Sequence, residues 1–197
     1  MDGRRTRRTT GGEMDRGTAA RVAELLLHEC SILLELYRKK EAFTAGLADQ
    51  RLVSVPLPSS QTDAKDKLWC LHSALLQCLS LLERAIIKEE EELGGGVTGE
   101  YEKQRKLVKD RLEFLIRSIG ELLRATDGGA VLTPSAELNS PTTVFELKVW
   151  VYQIFREVDY WTRTTVATLK DLPTVIAKRE ARTTRAARSI RNTRKMM

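Results

Sequence analysis

Residues 143–165 read TVFELKVWVYQIFREVDYWTRTT, and this stretch decides the fold. Leu147, Val151, Ile154, Val158, Trp161 and Thr165 recur by threes and fours, the spacing that puts side chains on one stripe of an α-helix. Thr143 is followed three residues on by Glu146, a capping box in which each side chain satisfies an orphan backbone N–H at the helix start. Trp150 and Leu169 lie beside the stripe, and both tryptophans read as core aromatics. Pro173 kinks or ends the regular part. The segment is therefore an amphipathic helix with a defined start, long enough to need partners along its whole apolar side.

Three more segments supply them. In 18–44, Val22, Leu25, Leu26, Cys30, Leu33, Leu36 and Tyr37 keep the same period, and Gly46 is the stop signal. In 63–93 the stripe is Leu68, Leu71, Leu75, Cys78, Leu79, Leu82 and Ile86. Thr62 or Asp63 can cap it, and Gly94, Gly95 and Gly96 break it. The acidic run Glu89–Glu92 sits where the helix dipole disfavours it, so that end is expected to fray as a solvated helix end. In 99–126, Val108, Leu112, Leu115, Ile119 and Leu122 complete the set. The expected class is all-α, a four-helix bundle over 18–177.

Connection length bears on topology. A helix of about 28 residues spans about 42 Å, and an extended chain needs about 12–13 residues to return along it. The links 46–62, with Pro56 and Pro58, and 127–142, with Pro134 and Pro141, are long enough to do so, and the link at 94–98 is not. The second and third helices are therefore antiparallel neighbours. The other two links allow an up-up-down-down, long-chain bundle with two long crossover loops. An up-down-up-down bundle with loose loops remains the alternative.

The charge sits at the ends. The chain carries 33 Lys and Arg against 27 Asp and Glu. Residues 1–16 have a net charge of +2 and 178–197 of +7, which leaves 20 basic and 23 acidic residues between them. The segments 1–17 and 178–197 read as solvated basic ends, the first disordered. Arg182, Arg185, Arg188, Arg191 and Arg194 recur every third residue, and their field attracts polyanions. No nucleic-acid-binding fold accompanies them, so nucleic acid is not the expected partner. An intracellular helical adaptor, or a nucleic-acid-binding bundle using the Arg-rich ends, is the competing reading.

Other classes have less to build on. Cys30, Cys70 and Cys78 lack a CxxC spacing and read as buried thiols. His28 and Cys30, two residues apart, point to different parts of a helix surface. Two histidines, no clustered metal ligands, no glycine-rich phosphate loop and no nucleophile motif argue against an enzyme. No cofactor, metal or small-molecule substrate is expected. No apolar signal-peptide region follows the first charged residues. No uninterrupted aliphatic run approaches a membrane span, and membrane insertion is not expected.

Several short patterns resemble one family. The fourth helix opens with Phe145 and Lys148, has Trp150 two residues after the lysine, and has Trp161-Thr162 eleven residues further on. The first helix ends Glu35-Leu36-Tyr37-Arg38-Lys39, the second contains Leu81-Leu82-Glu83-Arg84, and Lys195-Met196 stands near the end. These resemble the ciliary neurotrophic factor group of the interleukin-6 family, thinly over about 20–177, with the fourth-helix register the most specific part. The resemblance implies a long-chain four-helix cytokine, made in the cytoplasm without a signal peptide and released to act outside the cell. It implies assembly of receptor chains that triggers intracellular kinase signalling. The partners implied are the leukaemia inhibitory factor receptor, the shared glycoprotein-130 chain and a specific alpha receptor.

By the same resemblance Phe145 and Lys148 contact the leukaemia inhibitory factor receptor. Residues i and i+3 share a helix face, which suits an aromatic anchor flanked by a charge. The alternative is a staple packing of Phe145 on the preceding loop with Lys148 solvated. The family's alpha-receptor surface uses a tryptophan in the first long loop and arginines late in the fourth helix. Here 45–62 contain no tryptophan, and the late positions carry Thr164, with Arg163 beside it, and Lys170.

Overall fold

The computed structural model describes residues 11–42, 51–59, 61–93, 99–126 and 141–172. Among these residues the chain forms four helices and no strand: α1 Gly11–Glu41, α2 Ala64–Leu93, α3 Glu100–Ala125 and α4 Val144–Asp171. The expected all-α class and four helices are present. Helices α2, α3 and α4 match their sequence boundaries to within a residue or two.

The first helix departs from expectation. It starts at Gly11 rather than about 18, so 11–17 are helical and not part of a disordered segment. The early start has a tertiary anchor: the Arg16 guanidinium donates to the Leu172 carbonyl at the end of α4, 2.7 Å away. At the other end α1 stops at Glu41, short of 44, and Ala42 adopts φ 50°. That left-handed geometry ends a helix and is usually given to glycine. The proposed stop at Gly46, the links at 94–98 and 127–140 and the basic tail from 173 onward lie outside the described residues.

Helices α1 and α2 each pack against α3 and α4, so the four form a ring in the order α1, α3, α2, α4. Its centre holds Tyr37 from α1, Leu71, Leu75 and Leu82 from α2, Leu112, Leu115 and Ile119 from α3, and Phe155 and Trp161 from α4. Burying each such side chain is worth about 1.5–3 kcal/mol. Leu25 of the first stripe is exposed instead, and Leu36, Leu79 and Ile86 are half-buried. Helix α2 has the length and apolar content of a membrane span. Its side chains Leu71, Ala74, Leu75, Cys78 and Leu82 are fully buried, and it packs between α3 and α4.

Contacts at the two ends show which termini meet. Tyr37 near the end of α1 donates its hydroxyl to the Lys148 carbonyl at 3.2 Å, and its ring lies 5.5 Å from that of Tyr101 at the start of α3. Lys40 pairs with Glu102. At the other end Lys170 of α4 pairs with Glu24 of α1 at 2.9 Å.

The acidic end of α2 corrects the sequence reading. Glu89 is 4% exposed and is not part of a solvated, fraying turn. The Tyr101 hydroxyl donates to its carboxylate at 2.8 Å and the Arg105 guanidinium pairs with it. A carboxylate is tolerated in such a place only when paired and hydrogen-bonded. The two partners come from the first turns of α3, and they hold the end of α2 in place. Glu90, Glu91 and Glu92 remain exposed.

Candidate functional site

The start of α4 is built as its sequence foretells. The Thr143 hydroxyl accepts from the Glu146 N–H at 3.2 Å, and the Glu146 carboxylate accepts from the Thr142 N–H at 2.9 Å and the Thr143 N–H at 3.2 Å. The Thr142 hydroxyl also donates to Glu146 at 2.7 Å. These donors hold the Glu146 carboxyl below the usual carboxylate range, the Thr142 hydroxyl first among them. The first turn is fixed by its own side chains, and the residues on it have defined directions.

Phe145 uses that direction to face solvent. Phe145 is 67% exposed, the most open of the large apolar residues among those described, and Val144 beside it is exposed too. A single exposed apolar residue is common on protein surfaces, and an aromatic held on a capped first turn is also the form an interface anchor takes. Leu147, two residues on and about 200° round the helix, is buried, so the first turn directs Leu147 to the core and Phe145 away from it.

Lys148 is not the solvated lysine of the alternative reading. Its ammonium lies 2.6 Å from the Glu41 carboxylate, whose side chain is 5% exposed. Tyr37 holds its carbonyl. Lys148 is thus an α1–α4 clamp as well as a member of the Phe145 face, and not a freely solvated lysine. The structure brings Phe145 and Lys148 together on one end of the bundle. It adds Glu41, Tyr37 and Tyr152 around them, the last receiving a hydrogen bond from Arg38 at 2.8 Å. No local sequence signal links Glu41 to Lys148, because they meet only through the packing of α1 on α4.

The late positions of α4 divide. Arg163 and Lys170 are exposed and seven residues apart, two turns along one face. Arg163 binds Asp159 through two nitrogens, at 2.8 and 3.2 Å, and Lys170 reaches Glu24. Thr164 is half-buried and spends its hydroxyl on the Tyr160 carbonyl of its own helix. The segment 51–59 packs near this region. Arg51 and the Leu52 N–H both bind the buried Glu157 carboxylate of α4, at 2.8 and 3.0 Å, and Leu52 and Val53 are buried.

The cysteines are buried thiols, as expected. Burial raises the Cys30 and Cys78 thiols far above their ordinary value, which suppresses the thiolate that nucleophilic chemistry requires. His28 is exposed while Cys30 faces the core. Among the described residues no group of His, Cys, Asp or Glu is arranged to hold a metal ion.

Compared with models of known protein families, with curated proteins and with solved structures, the chain matches none.

Proposed function

We propose that this protein is a long-chain four-helix cytokine of up-up-down-down topology that bridges cell-surface receptor chains and so triggers intracellular kinase signalling. The observation that carries the reading is Phe145, exposed on a capped and rigid first turn. On this reading Phe145 is the anchor for the leukaemia inhibitory factor receptor, and Lys148, held by Glu41, sets the orientation. The topology is supported by the meeting of the ends of α1 and α2 with the starts of α3 and α4.

Bridging requires a second surface, and the outer side of α1 and α3 offers one. Leu25 is 50%, Leu107 40% and Phe114 45% exposed. Leu107 and Phe114 are seven residues apart and share a face, and Arg111 between them binds Glu29 of α1 at 2.6 Å. This side suits the shared glycoprotein-130 chain. Arg163, Thr164 and Lys170 mark where an alpha receptor would approach, with Arg163 and Lys170 as its contacts. Release from the cytoplasm to the outside of the cell belongs to the same proposal.

The test is to add the pure protein to cells carrying both receptor chains. Wild type is expected to signal, and Phe145→Ala to require at least about tenfold more protein for the same response. Silence from the wild type, or an undiminished response from the combined Phe145→Ala and Lys148→Ala variant, overturns the reading.

A further inference from the structure

The outer face of α3 carries a second helical seam, separate from its core stripe. Lys103, Leu107, Asp110, Phe114, Arg117 and Glu121 are all exposed and step alternately by four and three. Such steps keep side chains on one line and suit packing against another helix at a shallow angle, about 20°. The flanks of the seam are tied down. Arg111 binds Glu29 of α1 at 2.6 Å on one side, and Lys109 binds Glu83 of α2 at 3.2 Å on the other.

The charges on the seam are opposite on the two sides of Phe114. Asp110 lies four residues before it and Arg117 three after. Arg117 meets no carboxylate among the described residues. It donates to the Glu113 carbonyl at 3.5 Å and lies over the Phe114 ring, 5.6 Å from its centroid. Asp110 pairs with Lys106 of its own helix, with both side chains more than half exposed. A surface pair of that kind is worth little and exchanges partners readily.

We propose that a second copy of this chain packs on this face, α3 against α3, antiparallel about a twofold axis at Phe114. The charge order selects both the occupant and the orientation. In the antiparallel register Phe114 meets Phe114, and each Asp110 comes opposite the Arg117 of the other copy. The twofold makes that pair form twice. A parallel arrangement sets like charges against each other at both positions, which is unfavourable. Leu25 of α1, one turn from the Glu29 that Arg111 binds, extends the apolar area on one flank. Towards each end Leu107 comes opposite Glu121 and Lys103 opposite Arg124, which confines close contact to the central turns and keeps the dimer reversible. The dimer covers the side proposed for the glycoprotein-130 chain, so the monomer is the bridging form. That consequence rests on the proposed function, whereas dimerisation itself is measured without any receptor.

The test is sedimentation of the full chain at physiological salt over a wide range of concentration. Wild type is expected to pass reversibly from monomer to dimer. Asp110→Arg and Arg117→Asp each set like charges against each other twice, and each is expected to raise the dimer dissociation constant at least about tenfold. Both positions are exposed, so the helical circular-dichroism spectrum is expected to stay unchanged. An equimolar mixture of the two variants places opposite charges at both contacts and is expected to dimerise as wild type does. Phe114→Glu sets two carboxylates together on the axis and is expected to stay monomeric. A wild type that is monomeric at every concentration leaves the face to a different protein or to another segment of this chain, and overturns the proposal. Dimerisation undiminished by the single charge swaps also overturns it, as does a Phe114→Glu dimer as tight as wild type, even where a swap perturbs the fold. Folded single variants whose mixture stays monomeric overturn the antiparallel register.

Discussion

Phe145 and Lys148 make opposite demands on a mutation. Removing an exposed ring should change stability by less than about 0.5 kcal/mol while weakening the proposed receptor contact. Lys148→Ala removes the partner of a carboxylate that is nearly buried, and should cost about 1–3 kcal/mol. Denaturant unfolding of the two variants, with Glu41→Gln expected to reproduce the Lys148 loss, separates anchor from clamp. A second residue-scale contact lies between α2 and α3. A Cβ at Gly120 would sit 3.1 Å from His72 Nε2, so Gly120→Ala meets a clash that offsets its helix-propensity gain of about 1 kcal/mol. That gain should be larger in a His72→Ala background, by a coupling of about 0.5–1.5 kcal/mol in a double-mutant cycle. Burial first, and Arg124 second, lower the His72 value below its ordinary 6.5. The unfolded chain therefore takes up this proton at a higher pH than the folded one. The contribution is complete above 6.5 and is lost as pH falls from there through the depressed folded value. Stability measured across that window should fall with acid in the wild type and fall less in His72→Ala.

At the scale of the element, the starts of α3 and α4 carry the organisation of one end of the bundle. Thr143→Ala removes the acceptor for the Glu146 N–H and should cost about 1 kcal/mol. Because Phe145 lies on that turn, the proposed signalling should weaken more than the stability loss explains, which dose–response curves beside thermal unfolding will show. Glu89→Ala leaves the buried Arg105 with only the longer contact to the exposed Glu90, at 3.6 Å, and should cost about 3–5 kcal/mol, a large part of a typical domain's stability. This was the least legible part of the sequence. Four consecutive glutamates at a helix end have a local reading, and it is solvation. Glu89 alone turns inward because Tyr101 and Arg105 arrive from another helix. The early start of α1 has the same origin, since Arg16 is held by Leu172. By contrast the cap at Thr143, the stripes of α3 and α4 and the burial of both tryptophans depend on spacing within one segment, and there sequence and structure agree.

At the scale of the whole molecule, the ring of helices leaves three surfaces with different chemistry. One end presents Phe145, the α1–α3 side presents Leu25, Leu107 and Phe114, and the groove between α1 and α4 is lined by Arg38, Arg51, Arg156 and Arg163, the last shared with the late-α4 surface described above. The place of Phe145 on a capped first turn was legible because the cap is local. Lys148 was legible only as a charge, because its Glu41 partner is a product of packing. The groove was not legible at all: its arginines are scattered over α1, 51–59 and α4, and no spacing in the chain joins them. On the proposed function, the exposed apolar residues at one end and on the α1–α3 side are where two receptor chains would be held. The most direct measurement is calorimetric titration of the full chain into the purified ectodomain of the leukaemia inhibitory factor receptor, with wild type and Phe145→Ala side by side. The account predicts saturable binding by the wild type and at least about tenfold weaker binding by a Phe145→Ala variant that remains folded. No binding by the wild type, or equal binding by the two, would contradict it.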